Sequence, residues 1–118
     1  MNVLGSRERK QPPPARVVWE SLTQPRRPGT RPWLELLPGE VEPRVLRAEE
    51  PSLVVWSSLW PDRPDDEIRF DIRPDGYACA LRWTLLTPGE PPDDAVLGHL
   101  RHRLNYLING SLRYSYGQ

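Results

Sequence analysis

The stretch DDAVLGHLRHRLNYLINGSLRYSY, Asp93–Tyr116, decides the fold, because it is the one segment with sustained helical periodicity. Its apolar residues recur at steps of three and four and so share one stripe of a helix: Leu97, Leu100, Leu104, Leu107, Ile108 and Leu112. Asp93 or Asp94 is suited to cap the first turn, and Gly117 is suited to end the last. We therefore predict a long carboxy-terminal helix whose stripe packs against another layer.

The segments before this helix have the patterns of antiparallel strands. Apolar and charged residues alternate along Glu67–Arg73, which predicts a strand that is wet on one face. Pro74–Gly76 is a turn signal, and Tyr77–Leu86 should return antiparallel, with the apolar faces of both strands toward the final helix. Val41–Ala48 and Ser52–Trp60 are two further strands, and the second is apolar on both faces and therefore interior.

The first forty residues are less regular. Val3–Arg9 is a candidate edge strand, and Pro12–Pro14 opens a short helix that runs to Leu22. Prolines and glycines between residues 24 and 40 rule out a long regular element there. Within that region Trp33–Leu37 is too apolar for a free loop, and we interpret it as one helical turn that caps the end of a pocket.

Length and composition narrow the class of protein. A chain of 118 residues predicts one domain over residues 1–118 with a single core. Sixteen basic and sixteen acidic residues cancel, which argues against nucleic acid or a membrane surface as a partner. One cysteine, Cys79, excludes a disulfide framework, and no apolar run approaches the roughly 20 residues of a membrane span. We expect a cytoplasmic protein without a cofactor.

The order of these elements, α+β with a closing helix, resembles the helix-grip fold of the START-related (SRPBCC) superfamily, in which a curved antiparallel sheet wraps around a long carboxy-terminal helix. Within it the chain is most similar to the polyketide cyclase and Aha1-like members. The similarity rests on four segments: Pro14–Leu22, Glu67–Ile72, Ala78–Leu85 and Leu104–Arg113. Ala78-Cys79 stands where the family favours Gly-Thr, and the chain is short for the family.

The resemblance implies a cavity between sheet and helix that takes a small hydrophobic or amphipathic molecule. Some members use that cavity for cyclisation or dehydration, and others bind proteins. Large apolar residues expected to point inward are the candidate lining, with the filling of an ordinary core as the alternative reading: Trp33, Trp56, Phe70, Leu81, Trp83, Leu100, Leu104 and Leu107. In so short a chain the cavity should be small.

Polar residues near the stripe supply the candidate chemistry. Arg101 and Arg103 flank it, and either guanidinium suits a ligand carboxylate or enolate, although an exposed arginine that pairs with a neighbouring acid is the favoured reading. As an enzyme, the protein would use one of them with Tyr77 or Tyr106 to polarise a carbonyl. The sequence leaves open whether catalysis occurs.

Other reactive residues have plainer readings. His99 and His102 fall on the exposed face of the helix, where no motif supplies the further ligands that a metal needs. That face could instead hold a partner, and a second copy of the chain is a candidate. Cys79 lies in an apolar strand and is interpreted as an inert core thiol.

Overall fold

The computed structural model describes residues 1–117 and contains one five-stranded antiparallel sheet. The strands are β1 (Asn2–Gln11), β2 (Val45–Glu49), β3 (Leu53–Ser57), β4 (Glu67–Asp75) and β5 (Ala78–Thr87), in the order β1-β5-β4-β3-β2. The first helix, α1, spans Ala15–Thr23. The α+β architecture predicted from the sequence is confirmed, including the edge position of the first strand and the interior position of β3.

The carboxy-terminal rod consists of α2 (Asp94–Tyr106), a π-helical segment (Leu107–Leu112) and α3 (Arg113–Ser115), which together form the terminal helix. The carboxylate of Asp93 accepts a hydrogen bond from the Val96 amide at 2.9 Å, as a capping residue should. Gly117 ends the rod with a φ of +86°, which glycine adopts readily. Both ends match the sequence prediction.

The π-helical segment explains how the end of the stripe stays buried. Leu107 and Leu112 are both fully buried and lie five residues apart, which is the spacing of a π turn. The wider turn therefore keeps both leucines on the side that faces the core.

The β4–β5 hairpin matches its predicted pattern. Asp75 pairs with Ala78 across a two-residue turn in which Gly76 has a φ of +62°. Alternate residues of the two strands are at most 4% exposed and join one core cluster with the terminal helix: Ile68, Phe70, Ile72, Cys79, Leu81, Trp83 and Leu85. This buried face carries three of the residues that the sequence assigned to a pocket: Phe70, Leu81 and Trp83.

One segment differs from its prediction. Trp33–Leu37 forms no helical turn, although Trp33 and Leu34 are buried as their apolarity requires. Side chains from elsewhere bond the carbonyls that a helix would use internally: Arg26 donates to Leu34 O at 2.8 Å, and Arg103 to Glu35 O at 2.6 Å. These contacts hold the segment in an irregular, non-helical conformation, so the predicted helical turn was wrong.

The strand β2 begins later than its pattern suggested. Pro43 has no backbone N–H to donate, and pairing with β3 starts only at Val45 and Trp56. Among the described residues, no helix is both long enough and apolar enough to traverse a bilayer.

Candidate functional site

The structure brings together all eight of the apolar residues predicted to line a pocket. Each is at most 5% exposed, and all belong to one contiguous cluster between the sheet and the helices. Trp33 stacks on Trp56 with ring centroids 6.0 Å apart, and Trp56 meets Phe70 edge-on at 4.8 Å. The Trp56 indole also donates to Leu22 O at 2.8 Å. These side chains pack on one another, so an open cavity at this place stays a prediction.

Arg103, the predicted anion-binding residue, lies in an internal ion pair. Its Nε donates to Glu40 Oε2 at 2.9 Å and its Nη2 to Oε1 at 2.9 Å, while the two side chains are only 6% and 5% exposed. The Leu37 amide donates to the same carboxylate at 2.9 Å. Arg103 thus links the segment 33–40 to the terminal helix, and its guanidinium already bonds Glu40 and the Glu35 carbonyl.

The environment of Glu40 favours its charged form. Burial by itself would raise the pKa of this carboxyl, but the hydrogen bonds from Arg103 and from the Leu37 amide outweigh it and hold the pKa below its usual value. Glu40 was absent from the sequence predictions, because no local pattern links it to a residue 63 positions away.

The tyrosines considered for catalysis lie outside the core. Tyr77 sits at the tip of the β4–β5 hairpin and is 98% exposed, and Tyr106 is 61% exposed on the terminal helix. Arg101 instead lies against β1, where its Nε donates to Leu4 O at 2.7 Å. The structure therefore does not bring these residues together around one carbonyl site.

The remaining reactive residues have structural surroundings. His99 and His102 are exposed on the terminal helix, and residues 1–117 contain no group of three potential metal ligands. Asp66 is buried and accepts a hydrogen bond from Arg63 Nε at 2.6 Å. Cys79 is buried, and burial, with a smaller contribution from the Asp75 charge, raises the pKa of its thiol to about 11.

A cleft at the far end of the terminal helix offers a more open site. This end cleft, between α1, the segment 24–33 and the terminal helix, has a volume of about 260 Å³. Apolar surface comes from Val17 and Trp33, and the polar lining combines hydroxyls, arginines and one acid: Glu20, Ser21, Gln24, Arg27, Thr30, Arg31, Ser115 and Tyr116. Trp33 is the one predicted ligand-binding residue that reaches it.

A hydrogen-bonded chain orders the hydroxyls of the end cleft. Tyr116 donates to Ser21 Oγ at 2.9 Å, and Ser21 donates to Val17 O at 3.1 Å. Burial raises the pKa of Tyr116 above its usual value, against the opposing effect of the Ser21 hydrogen bond, so the phenol stays protonated. Arg31 reaches across to Tyr114 O at 3.3 Å, and Arg27 pairs with Glu20 at 2.6 Å.

Sequence reasoning missed most of this cleft. A signal was present, since Val17, Ser21 and Gln24 recur at steps of four and three along α1 and so share a face. The contribution of Tyr116 depends on the close of the chain folding back on α1, which no local pattern reveals.

Comparison with solved structures identifies the architecture. No known protein-family model matches the chain, and no curated protein sequence does. CalU16 from Micromonospora echinospora superposes with a TM-score of 0.65 at 19% identity, over 89% of this chain and 71% of that one. The Aha1 dimer from Colwellia psychrerythraea gives a TM-score of 0.69 at 14% identity, over 96% and 94%.

A third neighbour is larger. DynU16, a protein of the dynemicin biosynthetic locus, gives a TM-score of 0.62 at 19% identity over 92% of this chain, which spans only 45% of DynU16. Likeness at these identities concerns the arrangement of helices and strands. Together with the observed sheet and terminal helix, it shows that this chain has a helix-grip fold.

Proposed function

We propose that the protein binds a small amphipathic molecule and that the end cleft is the binding site. The observation that carries the proposal is the composition of this cleft, in which a buried tryptophan and a valine stand beside hydroxyls and arginines. Such a lining suits a ligand with one apolar part and one polar or anionic part.

The lining suggests how each part of the ligand is held. The apolar part would lie on Val17 and on Trp33, which is itself fixed by stacking on Trp56. The protonated Tyr116 phenol and Ser21 supply hydrogen bonds, and Arg31 supplies a positive charge for a carboxylate or similar group. At about 260 Å³ the cleft lies just below the usual range of roughly 300–1,000 Å³ for ligand pockets, so we expect a compact ligand.

The comparisons support the class of ligand only in general terms. DynU16 is described as belonging to a biosynthetic locus, so one protein of this fold is associated with small-molecule chemistry. A cyclase or dehydratase activity is the narrower alternative. Arg101 and Arg103 already bond groups of the protein, and Tyr77 and Tyr106 are exposed, so the residues first considered for this activity give it no support.

A binding role toward protein is the second candidate, and the packed core favours it. Its simplest form is a homodimer, since the neighbour from Colwellia psychrerythraea is described as a dimer. The edge strand β2 is exposed along its whole length, and it carries Val45 and Leu46 at 42% and 46% exposure. Light scattering during size-exclusion chromatography tests this directly, because a monomer mass at high micromolar concentration would reject it.

Two measurements test the ligand proposal. Native mass spectrometry of the purified protein should reveal a retained small molecule, or its absence. Titration with the fluorescent amphipathic anion anilinonaphthalene sulfonate should show saturable binding that Val17→Glu weakens by about tenfold, because it places a charge on the apolar floor. Val96→Glu is the matched control, since Val17 and Val96 are both helical and both 41% exposed. Equal affinities of the two variants would reject the end cleft.

A further inference from the structure

Charge is unevenly distributed over this electrically neutral chain. Residues 95–117 contain three arginines and no acid, and in β1 the one acid, Glu8, faces the outer side of the sheet and pairs with Arg73 at 3.1 Å. Arg103 is paired with Glu40, but Arg101 and Arg113 both bond backbone carbonyls of β1, so positive charge accumulates where β1 meets the terminal helix. The zero net charge of the whole chain therefore does not reveal this local excess of positive charge.

A second cleft, the β1 cleft, lies at that junction and has a volume of about 430 Å³. Arg7 and Arg101 line it together with His102, Asn105 and Trp83. No carboxylate contributes to its lining within the described part of the chain. In the end cleft, by contrast, Glu20 stands among the arginines.

The position of Arg101 is fixed by Gly5. Arg101 lies flat on β1 and uses its Nε to donate to Leu4 O at 2.7 Å, which leaves its terminal nitrogens for another partner. A Cβ on residue 5 would come within 2.9 Å of Arg101 Cγ and 3.0 Å of its Nε. Only glycine allows this close approach without a shift of the arginine.

A relay of amides adds a further donor. Gln11 Nε2 donates to Asn109 Oδ1 at 2.9 Å, and Asn109 Nδ2 donates to Asn105 Oδ1 at 2.8 Å. The Asn105 oxygen already accepts a hydrogen bond from Asn109. Asn105 therefore offers the cleft its NH₂ group as a donor. The cleft thus combines two guanidinium groups with an oriented amide donor.

We propose that the β1 cleft binds a phosphate group. Two guanidinium groups in one lining suit a tetrahedral oxyanion, and among the described residues no carboxylate lines the cleft to compete for them, as Glu40 does for Arg103. This site is separate from the end cleft, so its failure would leave the proposed function untouched. The phosphate can be the free anion or the head of a small phosphate ester.

The test is a titration of the ¹⁵N-labelled protein with inorganic phosphate and with phenyl phosphate, each at constant ionic strength set with chloride. We expect saturable shifts of the Trp83 indole N–H and of the Arg101 and Arg7 Nε–H signals. Tighter binding of phenyl phosphate would identify an ester as the ligand, and equal binding the free anion. Shifts that do not saturate, or that chloride reproduces, would overturn the proposal.

Variants separate a built site from general charge. Arg7→Gln and Arg101→Gln should each weaken phosphate binding by about tenfold, the usual scale for one charge-assisted hydrogen bond. Arg44→Gln removes the same charge from an exposed residue outside the cleft and should leave affinity unchanged within about twofold. An equal loss of phosphate affinity in Arg44→Gln would show that the effect arises from net charge alone, and would reject the site.

Gly5→Ala provides a test in which no charge changes. The added methyl group should displace Arg101 and weaken phosphate binding by about tenfold, whereas Gly98→Ala, in open space on α2, should have no effect on it. Unaltered phosphate affinity in a folded Gly5→Ala protein would show that the placement of Arg101 is irrelevant, and would contradict the proposal.

Discussion

Arg103 of the terminal helix and Glu40 of the loop before β2 form a two-pronged ion pair, with both N–O distances at 2.9 Å. The pair is shielded from water, with side chains 6% and 5% exposed. It joins the irregular segment 33–40 to the helix around which the fold is built. A buried pair of this kind is costly to break from one side, because the remaining charge keeps its desolvation penalty and loses its partner.

Glu40→Gln should therefore lower the free energy of unfolding by roughly 3 kcal/mol in urea denaturation at pH 7. Asp71→Asn is the matched control, because Asp71 pairs with Arg69 at 3.1 Å while their side chains are 43% and 44% exposed. That surface pair should contribute less than about 1 kcal/mol. Equal effects of the two substitutions would show that burial gives the Arg103–Glu40 pair no special weight.

The same carboxylate predicts a pH dependence of stability. The folded pKa of Glu40 lies below its unfolded value of about 4.3, so its contribution is fully present above that value and is lost as pH falls through the folded pKa. The stability difference between the wild type and Glu40→Gln should therefore narrow from pH 5 to pH 3. Urea denaturation across that range measures it, and a constant difference would contradict the assigned shift.

Leu104→Ala tests whether the space between sheet and helix is filled. Leu104 is fully buried in the core cluster, so its truncation should cost about 3 kcal/mol through lost contacts and a new cavity. Val96→Ala, on the exposed side of the same helix, should change stability by less than about 0.5 kcal/mol. A cost below about 1 kcal/mol for Leu104→Ala would indicate that Leu104 borders an open pocket.

Cys79 should be unreactive in the native protein. Burial raises the pKa of its thiol to about 11, with the Asp75 charge adding to the effect, so little nucleophilic thiolate exists at pH 8. An aromatic disulfide reagent should label the thiol only as fast as the protein unfolds, and at once in concentrated urea. Rapid stoichiometric labelling of the native protein would contradict its buried position.

Periodicity was sufficient for the elements that bury a regular face. The stripe from Leu97 to Leu112 predicts a helix, and the alternation in Glu67–Arg73 predicts a strand. The structure contains both elements. The segment Trp33–Leu37 was different, because its burial followed from its apolarity while its conformation depends on Arg26 and Arg103. Polar contacts between residues that are far apart in the chain cannot be predicted from local sequence patterns.

The candidate sites were harder to predict for the same reason. The eight apolar residues could be assigned to the interior, but the sequence could not decide whether they surround a cavity or fill it. Both clefts are assembled from residues far apart in the chain, such as Ser21 with Tyr116 and Gly5 with Arg101. Only the folded arrangement shows which charges meet.

The central claim, that a small amphipathic molecule occupies the end cleft, is tested most directly by the tryptophan indole signals during titration with anilinonaphthalene sulfonate. In ¹H–¹⁵N NMR spectra we predict saturable shifts of the Trp33 indole N–H and of the Ser21 and Tyr116 amides. The amide signals of Leu81 and Leu104, which are fully buried in the core, should not shift. An unmoved Trp33 signal, or shifts centred on Leu81 and Leu104, would contradict the account.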